Sequence, residues 1–382
     1  MKKRWPDKTV IGLTGNIAPG KSVVRRMLEH FGALGIDADS LAPRAMAPGA
    51  PAYKPVVELF GQWIVGPDKQ IDRVRLGRIV FNDPEALAAL EKIVHPIVRE
   101  AIHLLIRRAS QKIVVVEAIK LIESGLAADA DKLWVVDATP KVQLRRLMEN
   151  RGLTEPEARA RVEAQPPQAD KLAHATRIIN NNGNVESAYN QVRYALKSLE
   201  AKAGAPKKPA PEPEPVAAPP GAISVRRGMP SQAREIALFI FQNSGLSLSR
   251  ADMMQRFGEK AYMLAHADGA IVGLAGWQAE NLITRIDEFI VSDQSPTEEV
   301  VTALVREIET AARDLQNEVA LLFLPRRTPD GVREAVLDAG YEMRTPADLH
   351  VTDWREAALE SAPADSLMAV KRLRADRVLK PI

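Results

Sequence analysis

The chain of 382 residues contains no cysteine, and its six histidines never recur at the spacing of a zinc site. Disulfides, thiolate metal centres and a cysteine nucleophile are thereby excluded, and magnesium held by oxygens is the metal to expect. No apolar run is long enough for a membrane span. The basic opening Met1-Lys2-Lys3-Arg4-Trp5-Pro6 leads into a strand without the apolar stretch of a signal peptide, so the expected location is cytoplasmic, with no membrane partner. Charge of one sign is also missing: 52 basic residues stand against 49 acidic ones, a balance too even to argue for a nucleic acid partner.

What is present is ample apolar material. Hydrophobic residues make up 46% of the chain, enough for full cores in roughly two or three domains. Between Ala201 and Gly221 the composition shifts to Lys, Ala, Glu and Pro, with seven of the chain's 27 prolines. Such a segment is a semi-rigid, extended linker. It divides the chain into residues 1–200, a linker over 201–221, and residues 222–382, and implies separate cores on its two sides.

The first part alternates short apolar runs with helical patterns, as a parallel α/β sheet requires. The predicted strands are Thr9 to Leu13, Ala33 to Ile36, Ile113 to Val116, Leu133 to Val136 and Arg177 to Ile179. Directly after the first strand stands Thr14-Gly15-Asn16-Ile17-Ala18-Pro19-Gly20-Lys21-Ser22, a P-loop. Its glycines let backbone N–H groups wrap phosphates, Lys21 reaches the β/γ oxygens, the Ser22 hydroxyl ligates Mg²⁺, and a helix beginning at Ser22 adds its positive end. The chain is therefore expected to handle a nucleoside triphosphate.

Two carboxylates, Asp37 and Asp39, follow the second strand. Beside a Mg-nucleotide they can position or deprotonate an attacking hydroxyl; the competing reading is an N-cap for the helix near Ser40. Glu117 closes the third strand and either holds a magnesium-bound water or is solvated. From Lys141 to Gln165 runs an arginine-rich helical stretch that can close as a lid over phosphates or form salt-bridged exposed helices; Arg146 and Arg161 are the lid candidates.

Taken in order, the P-loop, Ile36-Asp37-Ala38-Asp39, Pro48-Gly49-Ala50, His95-Pro96-x-Val98, Leu121-x-Glu123-Ser124-Gly125, Trp134-Val135-Val136-Asp137, Gln143-Leu144-x-Arg146, Gln165 and Ile178 to Gly183 resemble the dephospho-CoA kinase family from about Val10 to Leu199. The resemblance implies a P-loop NTPase kinase domain with a parallel sheet, a helical acceptor region near Ala42 to Ser110 and a helical lid. It implies transfer of the ATP γ-phosphoryl to the 3′-hydroxyl of dephospho-CoA, with Mg²⁺. Asp39 would be the base, Asp37 its support, and Lys21 and Arg146 would stabilise the moving group. Thr14, Gly15 and the segment Ala18, Pro19, Gly20, Lys21, Ser22, Val23 would bind ATP. His95 and Glu123 would face the acceptor, Arg161 and Gln165 would belong to the lid, and Ser22 and Glu117 to the metal. The chain departs from the family where Asn16-Ile17-Ala18-Pro19 replaces Gly-Ile-Gly-Ser, where Val23 replaces threonine, and where Ile119-Lys120-Leu121 replaces Pro-Leu-Leu. Pro19 has no N–H to offer a phosphate.

In the second part, a strand near Ile223 to Arg226, a helix from Ser231 to Gln242, and runs Ala261 to His266 and Ala270 to Trp277 joined by the hairpin signal Asp268-Gly269 are predicted. A strand Arg285 to Val291, a long helix Thr297 to Leu315, a strand Val319 to Leu324 and a short helix before Gly340-Tyr341 complete an α+β layout. This order is similar to a GNAT-type acyltransferase domain and would imply acyl-CoA as a ligand. The stretch Ser292 to Val300, however, has no glycine and three acids where the pyrophosphate would dock. Three functions remain open on this reading: a small-molecule kinase with an accessory domain, a bifunctional protein with acyl-CoA-dependent acyl transfer, and a non-catalytic nucleotide or CoA sensor. The basic tail Leu367 to Ile382 is expected to be a solvated face.

Overall fold

The computed structural model describes residues 4–202, 222–280 and 282–374. Five strands, β1 (Thr9–Thr14), β2 (Leu34–Asp37), β3 (Ile113–Glu117), β4 (Lys132–Asp137) and β5 (Arg177–Asn180), form a parallel sheet in the order β2-β3-β1-β4-β5. Near-continuous apolar runs suit strands covered on both faces, and alternate residues serve the two sides. Val10, Ile36, Val114 and Val116 meet the helices between Ala38 and Arg108, while Ile11, Leu13, Val115 and Trp134 meet the helices Lys21–His30 and Val185–Lys202. The register sets Asp37 and Leu13 on either side of Glu117. The acids thus converge at the carboxyl ends of the strands, where ligands bind in sheets of this type.

The helical lid is present as a hairpin, Pro140–Arg151 and Glu155–Glu163, the latter closed at its start by a capping box between Thr154 and Glu157. The stretch expected to bind the acceptor is helical, with the helices Ala38–Ala45, Tyr53–Phe60, Arg73–Val80 and Pro84–Arg108.

A second, mixed sheet contains β6 (Ser224–Gly228), β7 (Ala261–Ala267), β8 (Ala270–Glu280), β9 (Ile283–Val291), β10 (Val319–Pro325), β11 (Glu342–Arg344) and β12 (Ser366–Arg372) in the order β11-β12-β10-β9-β8-β7-β6. All its pairings are antiparallel except β9 with β10. Asp268 and Gly269 turn the β7–β8 hairpin with φ of 48° and 83°, the left-handed pair that such a two-residue turn demands. The long helix Thr297–Asp314 packs on this sheet through Val300, Val301, Leu304, Val305 and Ile308.

Some expectations change. Ala201 and Lys202, assigned to the linker, end the helix Val185–Lys202; residues 203–221 lie outside the described residues. Lys371 and Arg372, assigned to a basic tail, belong to β12, and Lys371 Nζ reaches Glu309 Oε1 at 2.6 Å; residues 375–382 lie outside the described residues. The helices Arg250–Glu259 and Thr352–Ser361 were not anticipated. Nor are the cores separate. Leu282 and Leu315 of the second unit join the apolar cluster of the first. Arg227 donates to the carbonyls of Glu29 (2.7 Å) and His30 (3.3 Å), covering the C-terminal end of the helix Lys21–His30. Replacing that guanidinium, Arg227→Met, is expected to cost about 1–2 kcal/mol, read from the denaturant midpoint of the full chain; an unchanged midpoint would show that the contact contributes nothing.

Candidate active site

The loop from Gly15 to Gly20 is held by backbone geometry. Gly15 has φ of 151°, and a Cβ there would meet the carbonyl oxygen of Val136 at 2.5 Å. At Gly20, with φ of 93°, a Cβ would strike Asn181 Nδ2 at 2.2 Å. Only glycine fits either place. Ala18 adopts φ of 53° with a Cβ present, a conformation that costs an L-residue about 1–2 kcal/mol. The Pro19 carbonyl accepts from Asn181 Nδ2 (2.7 Å) and Arg146 Nη1 (3.0 Å), so this residue without an N–H is fixed through its oxygen. The following helix begins at Lys21, one residue before the predicted start.

Lys21 is buried, and its ammonium donates to the Asn16 carbonyl at 3.1 Å. Burial pushes its pKa down, while the charges of Glu117, Asp39 and Asp37 oppose that shift. Thr14 Oγ1 donates to the carbonyl of Ile119 (3.1 Å), tying β1 to the turn after β3.

Three carboxylates surround this lysine. Glu117 accepts from Ser22 Oγ at 2.9 Å and from Arg25 Nε at 2.8 Å. Asp37 is the N-cap of the helix Ala38–Ala45, its Oδ1 accepting from Ser40 N at 3.2 Å. Burial first, then the neighbouring Glu117 charge, raises its pKa to about 6. Asp39 lies in the first turn of the same helix and accepts the Ile119 N–H at 3.0 Å. Burial raises its pKa too, against that hydrogen bond and the charge of Lys21. The two readings of the Asp pair thus divide: capping falls to Asp37, and Asp39 faces the lysine.

The donor set at Ser22 and Glu117 fits magnesium. A hydroxyl and a carboxylate side by side are hard oxygen ligands, and Mg²⁺ is commonly held by one or two such groups together with phosphates and waters. Among the described residues no cluster of three or more His, Cys, Asp or Glu could hold a metal without such help.

Arg146 comes to the P-loop as expected, donating also to the Asn181 carbonyl at 2.8 Å. Glu123 is drawn in through Lys171, whose Nζ lies 3.5 Å from its carboxylate and donates to the Ile119 carbonyl at 2.5 Å. His95 is elsewhere: with Arg99, His103 and Ser124 it lines a second cleft of about 560 Å³ that none of the P-loop residues or the three carboxylates lines. Arg161 is exposed on the second lid helix, and Gln165 occupies the bend after it. Sequence reasoning missed Gln168, which accepts from Asn16 N (3.2 Å) and donates to the Val136 carbonyl (3.1 Å), and missed the buried cation of Lys171. It also missed the side-chain role of Asn181, although the Asn180-Asn181-Asn182 run was in view.

A strand, a glycine-bounded loop with Lys21 and Ser22 at a helix start, a carboxylate trio and a helical lid define a P-loop kinase. Residues 9–187 match the family model described as Dephospho-CoA kinase, and the Geobacillus kaustophilus protein named dephospho-CoA kinase is 45% identical over 194 residues, covering 50% of this chain and 96% of that one. The chain belongs to the dephospho-CoA kinase family. A Geobacter sulfurreducens protein of the same name is 42% identical over 186 residues, covering 48% of this chain and 94% of that one. Among solved structures, TT1252 from Thermus thermophilus is similar with 34% identity and a TM-score of 0.45, over 51% of this chain and 97% of that one. A GNAT-family acetyltransferase from Streptococcus pneumoniae is similar with 13% identity and a TM-score of 0.31, over 40% of this chain and 99% of that one.

Two substitutions test the electrostatics and the loop. Asp37→Asn keeps a capping oxygen and removes a charge disfavoured by burial and by Glu117. Because the folded pKa is raised, the carboxylate weakens the fold above about pH 6 and less so as it takes up its proton below, toward pH 4. The variant is therefore expected to be more stable than wild type by about 1–2 kcal/mol above about pH 7, a gain that shrinks on acidification; a constant difference between thermal midpoints at the two ends of that range would contradict it. Ala18→Gly relieves the left-handed strain and is expected to gain about 0.5–1 kcal/mol after the entropy of glycine is counted, visible as a raised melting temperature.

Proposed function

We propose that this chain transfers the γ-phosphoryl of ATP to the 3′-hydroxyl of dephospho-CoA, giving coenzyme A and ADP. The observation that carries the reading is the placement of Asp39: anchored by the Ile119 N–H, open to an incoming acceptor, and in the field of Lys21 at the mouth of the loop.

In this reading the ribose oxygen forms its bond to the γ-phosphorus as the bond from that phosphorus to the β,γ-bridging oxygen breaks. The hydroxyl proton passes to Asp39, whose raised pKa makes it a better acceptor than an unperturbed aspartate. Lys21, its charge opposed by burial but held by three carboxylates, meets the γ-oxygens as negative charge spreads over them. Lys171 adds a second buried cation on the acceptor side, and the half-buried Arg146 a further charge at Pro19. Ser22 and Glu117 would hold Mg²⁺, which when bound neutralises charge on the β- and γ-oxygens. Asp37 positions the helix that carries Asp39.

The second unit is read here as non-catalytic. Its long helix Thr297–Asp314 is preceded at the N-cap by Pro296, which lacks an N–H, and its first turn carries Glu298 and Glu299, which already meet the positive end of the dipole and repel a pyrophosphate. Acyl-CoA therefore has no matched anchor at the place where the resemblance would put it.

A coupled ADP-release assay with ATP, Mg²⁺ and dephospho-CoA tests the kinase reading, with the product checked for a 3′-phosphate. Asp39→Asn is expected to lower kcat by about 10²–10⁴ with ATP binding retained, and Lys21→Ala to abolish turnover. A wild-type chain that binds ATP without consuming dephospho-CoA would favour the sensor; equal loss of binding and turnover in Asp39→Asn would make that residue structural.

A further inference from the structure

On its nucleoside side the P-loop faces a part of the second unit. It opens into a cleft of about 960 Å³ whose one wall is Pro19, Lys21, Arg146 and Asn181 and whose other wall is the helix Arg250–Glu259 of the second unit, presenting the exposed Gln255 and the edge of the otherwise buried Met254. Asp37, Asp39 and Glu117 do not line it. They mark the opposite end of the loop, where the γ-phosphate meets its acceptor. A triphosphate seated with its terminal group between Lys21 and Asp39 must leave the loop at the other end, past Arg146 and Asn181, and enter this cleft.

We propose that the helix Arg250–Glu259 is the outer wall of the ATP site, with Met254 against the face of the purine and Gln255 on the polar edge of the nucleoside. This rests on the kinase reading for the direction of the nucleotide. The chemistry matches: a thioether packs softly on an aromatic face, and a carboxamide offers a donor and an acceptor together, as a purine edge requires. Met254 and Gln255 stand four and three residues before Gly258, spacings that put them beside it on one helix face, so the cleft side adjoins the docked side.

The wall is built to stay in place. A Cβ on Gly258 would stand 3.3 Å from Val23 Cγ1 and 3.5 Å from Val185 Cγ1, so the helix lies directly on the P-loop helix and on the helix Val185–Lys202. Arg250 pairs with Glu186 across the cleft mouth (2.8 Å). On its other side Arg256 binds Glu288 (2.8 Å) and Lys260 binds Asp287 (2.7 Å), both on β9, and Met253, Met254 and Phe257 are buried in the apolar core of the second unit, Met254 leaving only its edge to the cleft. The second sheet thus acts as a buttress for a nucleotide wall.

The test uses the full chain without acceptor, titrated with ATP and separately with inorganic tripolyphosphate, which engages the P-loop but has no nucleoside. Met254→Ala/Gln255→Ala is expected to weaken ATP about tenfold and leave tripolyphosphate unchanged. Gln255→Ala alone, at an exposed position, keeps the fold and is expected to show the same selective loss at smaller size. Equal affinities for ATP in wild type and variants would overturn the proposal, and so would parallel losses for both probes, which would mean that only the P-loop had moved. Selective loss of ATP in a chain that never phosphorylates dephospho-CoA would sustain the wall and defeat the kinase reading.

Discussion

The carboxylate of Glu117 is the point on which the first unit turns. Parallel register brings it between the ends of β1 and β2, and its two oxygens go to different tasks: one holds Ser22 at the start of the P-loop helix, the other binds the buried Arg25. Arg25 in turn reaches Glu29 one turn along the same helix. A buried carboxylate deprived of its cation is costly, of order 3–5 kcal/mol. The network therefore fixes the helix against the sheet and sets the field that raises Asp37 and sustains the charge of Lys21. The chemistry of the site is a by-product of how that one buried charge is balanced.

The second unit obeys a different constraint. Its larger cores face its own sheet, and its docking surface is mixed: Leu282 and Leu315 enter the first unit's apolar cluster and Gly258 approaches Val23, while Arg227 on helix-end carbonyls, Arg250 on Glu186 and Gln70 on Thr352 add polar contacts. The valine that replaces the family's threonine just after the P-loop has its side chain at that contact. An apolar residue there suits a helix lying on it better than a hydroxyl that would need a partner.

How much was legible follows from how local each signal is. The P-loop was readable because its glycines and lysine act within nine residues, and the strands because short, mostly apolar runs of about four residues stand out between turn signals. Asp39 and Glu117 were readable because strand ends point at ligands in such sheets. Gln168 and Lys171 were not: they lie in a short polar helix whose importance exists only once β4 carries it against Asn16 and Ile119, some 150 and 50 residues away. The helix Arg250–Glu259 announced itself only by the box of Ser249 and Asp252, which was overlooked in a stretch that otherwise reads as loop. The strand β12 was taken for a basic tail because its lysine and arginine were counted as surface charge, whereas Lys371 lies along Tyr341 and pairs with Glu309.

The relatives named above match nearly whole within the first half of this chain. A kinase of that length ends before residue 250 and has no surface at the position of Met254 and Gln255. Ligand selectivity thus has a physical handle here: a molecule anchored in the P-loop and extended toward Gln255 would find a carboxamide and a thioether in this protein, and water in a chain without the second unit.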